Sequence, residues 1–226
     1  VTKARSKSLT KPNTQRAFSP SRAANWMADM SDLSRYDPVW RGAEPYMRAR
    51  KNDVHIPLSF DWCRRLLTVH PEADADICSL AILLHDIGWY SIDQTDIIEQ
   101  GFRSDNFLTS DVRYLHEREG VRLGTEVLKK TGWSQDVIEA VCEIIDGHDT
   151  RADPHHLNDR IVRDADKLWR YDVPGIAIAS DWFGHTPHQY ADHLVKSLDK
   201  LETDAGRAFA VETLEASRKA LKLHVL

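Results

Sequence analysis

The sequence has little of what disulfide-stabilised, secreted or membrane-spanning proteins contain. Its 226 residues include three cysteines, Cys63, Cys78 and Cys142, and this odd, sparse set forms no disulfide framework. The longest purely apolar run, from Leu80 to Leu84, is five residues long, whereas a helix that crosses a bilayer needs roughly 20. The N-terminal stretch lacks the apolar centre of a secretory signal. These absences predict a cytoplasmic protein that makes no membrane contact.

Charge is distributed unevenly along the chain. Residues 1–28 carry six Lys or Arg and no Asp or Glu, with Ser, Thr and Pro between them. The remaining 198 residues hold 24 basic and 35 acidic groups, which gives them a formal net charge of −11. We predict a basic, flexible tail over residues 1–28 and a single helical domain over residues 29–226. Because an acidic domain offers no basic face to duplex DNA, we do not expect nucleic acid as a partner.

Apolar residues recur at steps of three and four almost everywhere outside the tail, while the alternating runs of β-strands are nearly absent. The pattern predicts an all-α fold with additional C-terminal helices. One helix is expected along the stripe that begins at His55, with Pro57 in its first turn, and it ends before Pro71. The next ends before Gly88. A loop with at most one short helical turn is expected over residues 89–109.

Five further helices are expected beyond that loop. Apolar stripes predict the first over Val112 to Val127 and the third over Leu157 to Trp169. The second is expected to begin after the N-cap Ser134 and to include His148. The last two are expected to begin after the N-caps Thr186 and Thr203.

Histidine is the informative residue type. Four of the eleven His lie within or at the end of an apolar helical stripe: His55, His85, His116 and His148. Their separations of 30, 31 and 32 residues place each on a different helix. Each buried imidazole needs a hydrogen-bonding partner. A divalent metal bound by neutral imidazoles and carboxylates supplies one shared partner for all four.

Asp86 follows His85 directly, and its two oxygens can bridge two ions if the backbone turns there, which Gly88 permits. A late carboxylate, Asp164 or Asp166, completes the set, and the helical period does not choose between these two because they flank the apolar stripe symmetrically. One metal group would be His55, His85, Asp86 and the late carboxylate, and the other Asp86, His116 and His148. Six protein ligands for two ions leave positions open for water or substrate, as a catalytic site requires.

Four segments carry a resemblance to a known family: residues 50–55 (RKNDVH), 83–89 (LLHDIGW), 145–149 (IDGHD) and 164–169 (DADKLW). They resemble the HD-domain superfamily of metal-dependent phosphohydrolases, in its variant with two additional His ligands, over about residues 50–172. The resemblance implies an HD-domain helical bundle around a metal centre and places the late metal carboxylate on Asp166 rather than Asp164. Many members carry Arg where this chain has Asn52.

The resemblance implies a hydrolase that cleaves a phosphoester bond of a small phosphorylated metabolite or nucleotide. Two divalent transition metal ions, with Fe or Mn favoured and Zn, Co or Ni compatible, would activate a water that the catalytic Asp86 helps to orient. Basic side chains beside the ligands would bind the anionic substrate: Arg50, Lys51, Arg151 and Lys167.

Two other hypotheses stay open. The same ligands also serve HD-type mixed-valent diiron oxygenases that act on hydroxylated polyols or phosphonates. This is the second choice, because Pro45 stands where their gating tyrosine is expected, with Tyr46 one step away, and because no basic residue lies four positions after His148, although Arg151 is near. The third hypothesis is a binding or regulatory module whose metal is structural. The sequence indicates neither the substrate nor the oligomeric state.

Overall fold

The computed structural model of the chain describes residues 33–93, 95, 97 and 111–222. It divides the chain into two units, residues 1–37 and residues 38–226. In the first unit the described residues form a 3-10 turn, Ser34–Tyr36, and the first residue of a helix. The predicted tail and its boundary at residue 28, like most of the predicted loop at 89–109, lie outside the described residues.

The described residues contain nine α-helices and no strand, which confirms the all-α prediction. The helices are α1 (Asp37–Ala43), α2 (Asn52–Val69), α3 (Ala75–Leu84), α4 (Asp111–Lys130), α5 (Gln135–Ile145), α6 (Leu157–Leu168), α7 (Val173–Trp182), α8 (Pro187–Val195) and α9 (Asp204–Ala220). Short 3-10 segments join several of them: Glu44–Tyr46, Ile87–Ser91, Trp169–Tyr171 and Leu198–Lys200.

Helix α3 is the central element of the bundle. All residues from Cys78 to Leu84 are buried, because α3 packs against α2, α5 and α6. A helix that is apolar on all sides requires neighbours on all sides. Its N-terminus is fixed by Asp74, whose side chain accepts hydrogen bonds from the backbone amides of Asp76 and Ile77. His85 and Asp86, which directly follow the C-terminal end of α3, are therefore buried in the middle of the bundle.

Helix α2 begins earlier than the sequence pattern predicts. The backbone amides of Val54 and His55 both donate to the carbonyl of Lys51, so the helix starts at Asn52. Pro57 consequently lies in the second turn, not in the first as predicted. Since proline has no backbone amide, α2 lacks one internal hydrogen bond at that point.

The chain after α3 packs tightly on α4. The 3-10 segment Ile87–Ser91 contacts α4, and a Cβ on Gly88 would overlap the carbonyl oxygen of His116. The backbone turns after α3 as predicted, but the φ of Gly88 is not in the left-handed region, so the turn does not depend on a positive φ at this glycine. Glycine is required there because only a hydrogen fits between the two backbones.

Three other predicted helix boundaries, the end of α5 and the starts of α8 and α9, can be compared with the structure. Helix α5 ends at Ile145, so His148 lies in the turn beyond it, where Gly147 has a φ of +111°, and not within the helix as predicted. The N-caps Thr186 and Thr203 are confirmed for α8 and α9. Helix α7 was not predicted, because its first residues, Val-Pro-Gly, have the composition of a loop.

Candidate metal centre

The structure brings together the side chains of all six residues predicted as metal ligands. They are His55 in α2, His85 and Asp86 directly after α3, His116 in α4, His148 in the turn after α5, and Asp166 in α6. None of the six is more than 6% exposed to solvent. Helices that are distant in sequence thus direct imidazoles and carboxylates at one buried region.

The first ligand group is formed by His55, His85, Asp86 and Asp166. One oxygen of Asp166, Oδ1, lies 2.8 Å from Nε2 of His55 and 3.3 Å from Nε2 of His85. Oδ2 of Asp86 lies 3.2 Å from Nδ1 of His55 and 3.7 Å from Nε2 of His85. Ligand atoms of His55, His85 and Asp86 lie close enough together to hold one cation through nitrogen and oxygen. Asp166 lies against the two imidazoles of this group.

The second ligand group is formed by Asp86, His116 and His148. The other oxygen of Asp86, Oδ1, lies 3.6 Å from Nε2 of His116 and 3.5 Å from Nε2 of His148. The two imidazole Nε2 atoms are 3.4 Å apart. Asp86 therefore belongs to both groups and presents one oxygen to each.

The tautomers of the imidazoles show that these residues fit a cation. Nδ1 of His85 donates to the carbonyl of Ile82, and Nδ1 of His148 donates to the carbonyl of Ile145. In the neutral ring the proton is then on Nδ1, so the lone pair on Nε2 points into the site. Among the described residues, the nearest polar atoms to Nε2 of His85 are carboxylate oxygens of Asp86 and Asp166, and those to Nε2 of His148 are Oδ1 of Asp86 and Nε2 of His116. Lone pairs that converge in this way require a proton or a metal ion between them.

Both carboxylates of the site stay ionised. Burial raises the pKa of Asp86, but the guanidinium of Arg50, together with the neighbouring imidazoles, outweighs burial and holds that pKa well below its usual value. Burial also raises the pKa of Asp166, and the contacts with His55 and His85 and the nearby charge of Arg170 outweigh it in the same way. The site therefore supplies two negative charges to a cation at neutral pH.

The two imidazoles of the second group have opposite pKa shifts. Burial lowers the pKa of His116 to about 3, and the charge of His148 adds to this. Burial acts on His148 in the same direction, but its hydrogen bond to Asp86 and the nearby acidic charges raise its pKa to about 10. A divalent cation in this group takes the place of the proton that His148 otherwise holds.

Comparison with known protein families identifies the fold family. A family model described as HD domain matches residues 57–170, half of the chain. The chain belongs to the HD domain family. The HD domain is typical of the metal-dependent hydrolase superfamily, in agreement with the clustered His and Asp side chains that could hold a metal. Comparison with curated proteins gives no match, and neither does comparison with solved structures.

The matched stretch of the HD domain contains five of the six ligands and begins two residues after His55. Helices α7 to α9 follow it, as the sequence prediction of additional C-terminal helices requires. Within the described part of the chain, none of these helices combines the length and the apolar character that crossing a membrane demands.

The two candidates for the late carboxylate have separate positions in this HD domain. Asp166 lies against the imidazoles of the first ligand group. Asp164 instead accepts hydrogen bonds from the backbone amides of Glu202 and Thr203 and from the Thr203 hydroxyl. Asp164 therefore connects α6 to the start of α9 and does not face the ligands.

Three residues hold Asp86 in place, one through its backbone and two through its carboxylate. The side-chain amide of Asn52 donates to the backbone carbonyl of Asp86 at 2.9 Å. Nε1 of Trp89 donates to Oδ1 at 2.9 Å, and the guanidinium of Arg50 donates to Oδ2 at 3.1 Å. Arg50 itself lies between the rings of Trp89 and Trp182, at 4.7 and 5.1 Å from their centres. Of these, we predicted only Arg50, and for substrate rather than for Asp86.

The other residues predicted to bind substrate lie in different surroundings. Lys51 is exposed and has a left-handed backbone conformation just before α2. The guanidinium of Arg151 donates to Asp159 at 3.0 Å and to the carbonyls of Glu143 and Asp146. These bonds connect the turn after α5 to α6, and none of them reaches a ligand.

Sequence reasoning missed a network of hydrogen bonds behind His148. Glu117, on the same helix as His116, accepts hydrogen bonds from the backbone amides of Asp149 and Thr150 and from the Thr150 hydroxyl. This fixes the turn that carries His148 and places the Asp149 carboxylate 3.9 Å from Nε2 of His116. The adjacent pairs His116-Glu117 and His148-Asp149 were the available signal.

Proposed function

We propose that the protein is a metal-dependent phosphohydrolase that cleaves the phosphoester bond of a small phosphorylated metabolite or nucleotide. The observation that supports this is the position of Asp86, whose two oxygens face two separate groups of ligands. Phosphoester hydrolysis at neutral pH requires an activated water and neutralised phosphoryl oxygens, and a pair of metal ions meets both needs.

The donor set indicates which ions the site would hold. Four imidazoles and two carboxylates suit Fe or Mn, and also accept Zn, Co or Ni. We propose two such divalent ions, one in each group that contains Asp86. Six protein ligands leave coordination positions for water and substrate. When bound, the ions lower the pKa of a coordinated water and stabilise the charge on the phosphoryl group.

In this proposal the protein chain orients the metal-binding side chains and keeps bulk solvent away from them. Asp86 is the catalytic residue in this proposal, and its two oxygens are oriented by Trp89 and Arg50. The indole of Trp89 stacks on His116 with ring centres 4.1 Å apart, and that of Trp169 stacks on His55 at 4.6 Å. These aromatic rings surround the polar ligands with apolar surface, which strengthens electrostatic interactions inside the site.

We propose a small anionic substrate, in keeping with the family and with two positively charged side chains beside the site, Lys167 and Arg170. Lys167 follows Asp166 directly, and Nη2 of Arg170 lies 3.9 Å from Oδ2 of Asp166. We also propose a reducing, cytoplasmic location, because Cys63, Cys78 and Cys142 are all free thiols.

The test is phosphate release from a panel of phosphomonoesters and nucleotides. The protein is loaded in turn with Mn, Fe, Co, Zn or Ni and assayed under argon. We expect at least one metal to support hydrolysis, and we expect Asp86→Asn to lower kcat by about a thousandfold or more because it removes the charge shared by both ligand groups. His155→Ala is the control, since this histidine is exposed and pairs with Glu143.

A second measurement separates the proposal from the oxygenase hypothesis. Oxygen uptake is recorded for the iron-loaded protein with hydroxylated polyols and phosphonates. Oxygen consumption without phosphate release from any ester would contradict the hydrolase proposal and favour the oxygenase. Full activity of Asp86→Asn would contradict both, because each depends on this ligand.

A further inference from the structure

A small basic cavity lies beside the metal ligands, on the C-terminal side of the HD domain. Its volume is about 130 Å³, and its basic side chains and Tyr190 come from four elements. Lys167 and Arg170 belong to the end of α6 and the 3-10 segment after it, Tyr190 and His193 to α8, and Lys200 to the segment Leu198–Lys200. No carboxylate lines this cavity among the described residues.

Arg170 connects this cavity with the metal centre. Oδ1 of Asp166 faces His55 and His85, whereas Oδ2 of the same carboxylate faces the guanidinium of Arg170 at 3.9 Å. Nε of Arg170 is buried and has no hydrogen-bond partner among the described residues. A donor that is buried without a partner is costly, and an anionic ligand in the cavity would supply the missing acceptor.

The remaining lining is suited to an anion as well. The ring of Tyr190 is buried between Phe183 and His193, and its hydroxyl makes no hydrogen bond to a described residue. Lys200 forms no ion pair with a described residue, and Lys167 has one acidic neighbour, Glu202, at 3.6 Å. Burial lowers the pKa of His193, and the charges of Lys200 and other nearby cations add to that shift. The lining therefore carries an excess of positive charge, which the two carboxylates beside it, Glu202 and Asp166, offset only in part.

We propose that this cavity binds a second anionic group of the substrate, so that the protein acts on small molecules carrying two anionic groups. One is the phosphoester at the metal centre, and the other is a phosphate or carboxylate held by Arg170, Tyr190 and Lys200. This inference rests on the proposed phosphohydrolase function for the first group. The binding of the second group depends only on residues outside the six metal ligands, and it can be tested by itself.

The test of binding uses inorganic phosphate and, in a separate arm, malonate. Each is titrated into the full chain while the imidazole resonances of His193 are followed by NMR. We expect a saturable shift with phosphate, malonate or both, and the arm with the tighter binding identifies the chemistry of the second group. The Lys200→Gln variant should weaken that binding about tenfold, the usual effect of removing one charged hydrogen-bond partner.

Two further variants make the result specific to the cavity. Tyr190→Phe keeps the stacked ring and removes only the hydroxyl, so it should fold normally and weaken binding several-fold. Lys196→Gln removes an exposed positive charge near His193 that does not line the cavity, and it should bind both anions as the unmodified protein does. The proposal is overturned if His193 responds to neither anion, or if Lys200→Gln and Lys196→Gln have equal effects.

Kinetics then distinguish this proposal from the phosphohydrolase function. A sugar bisphosphate and the corresponding monophosphate are compared as substrates, and Lys200→Gln should lower kcat/KM about tenfold more for the bisphosphate. If no ester is hydrolysed with any metal, the function proposed above fails, while the anion-binding result stands. If esters are hydrolysed with equal preference for one and two anionic groups, the second-anion proposal fails and the function stands.

Discussion

Backbone carbonyl groups determine which nitrogen each of two imidazoles offers to the site. His85 and His148 both donate from Nδ1 to the carbonyl of the residue three positions earlier, Ile82 and Ile145. The same geometry appears at the ends of two different helices, where carbonyls lack helical partners. Each helix end therefore satisfies its own carbonyl and at the same time fixes an Nε2 lone pair toward the cation site.

His116 belongs to the second ligand group alone, so its removal tests that group without changing the ligands of the first. We expect His116→Ala to lower the metal content from two ions per chain to one, because the first group keeps its four ligands. Elemental analysis of the purified protein measures this directly, with His155→Ala as the matched control. A His116→Ala protein that still binds two ions would contradict the assignment of the second group.

Trp89 supports Asp86 without being a ligand. Trp89→Phe keeps an aromatic ring against His116 but removes the Nε1 donor to Oδ1 of Asp86. We expect the affinity for metal to fall about tenfold, at the lower end of what the loss of a residue behind a ligand costs. Competition with a chelator of known affinity gives the value. Trp40→Phe, whose ring packs on Phe60, should show no change, and an equal loss there would refute the role of Trp89.

At the scale of the element, α6 uses two carboxylates two residues apart for different tasks. Asp164→Ala would leave three donors at the start of α9 without an acceptor. We expect a loss of about 3 kcal/mol in the free energy of unfolding, since each buried donor left alone costs about 1 kcal/mol or more. Urea unfolding measures the loss. Metal content per folded chain should stay unchanged, in contrast to Asp166→Ala, and loss of metal in Asp164→Ala would contradict this division.

The 3-10 segment Ile87–Ser91 packs closely on α4 because glycine, at position 88, has no side chain. Gly88→Ala would place a Cβ against the backbone of His116 and Gly120. We expect a destabilisation of about 3 kcal/mol or more, because neither backbone can move without shifting ligands. On the same face of α4, Gly124 has only ordinary contacts at 3.5 Å, so Gly124→Ala is the control. It should change stability by no more than about 1 kcal/mol, and in the favourable direction, as urea unfolding would show.

The sequence predicts the elements better than their ends. The stripes along α2 to α6 are regular enough to locate five helices and four histidines, because burial imposes the period. Pro57 and His148 were misplaced because helix ends depend on backbone hydrogen bonds, which composition does not encode. Arg151 was assigned to substrate because it is close to His148 in sequence. The structure shows that the chain turns there and that Asp159 binds the arginine instead.

At the scale of the whole molecule, the apolar core and the ligand cluster are separate sources of stability. Leu66, Leu84, Ile144 and Leu168 are completely buried on α2, α3, α5 and α6, and none of them depends on a cation. The six ligands, by contrast, concentrate converging lone pairs and two negative charges in a buried volume. A cation is therefore expected to add to the stability of a bundle that the core already forms, rather than to create the bundle.

Removal of metal tests this division directly. Treatment with a chelator should leave the far-UV circular dichroism of the helices intact and lower the midpoint of thermal unfolding. At a free metal concentration of 100 times Kd, each bound ion contributes about 2.7 kcal/mol, which corresponds to a decrease of about 5–10 °C per ion for a chain of this size. The Asp86→Asn variant is the control, since a chain that has lost the ligand common to both groups should respond little to the chelator. Loss of helical signal in the metal-free protein would show instead that the cation organises the fold, because the core alone would then fail to hold α2 to α6 together.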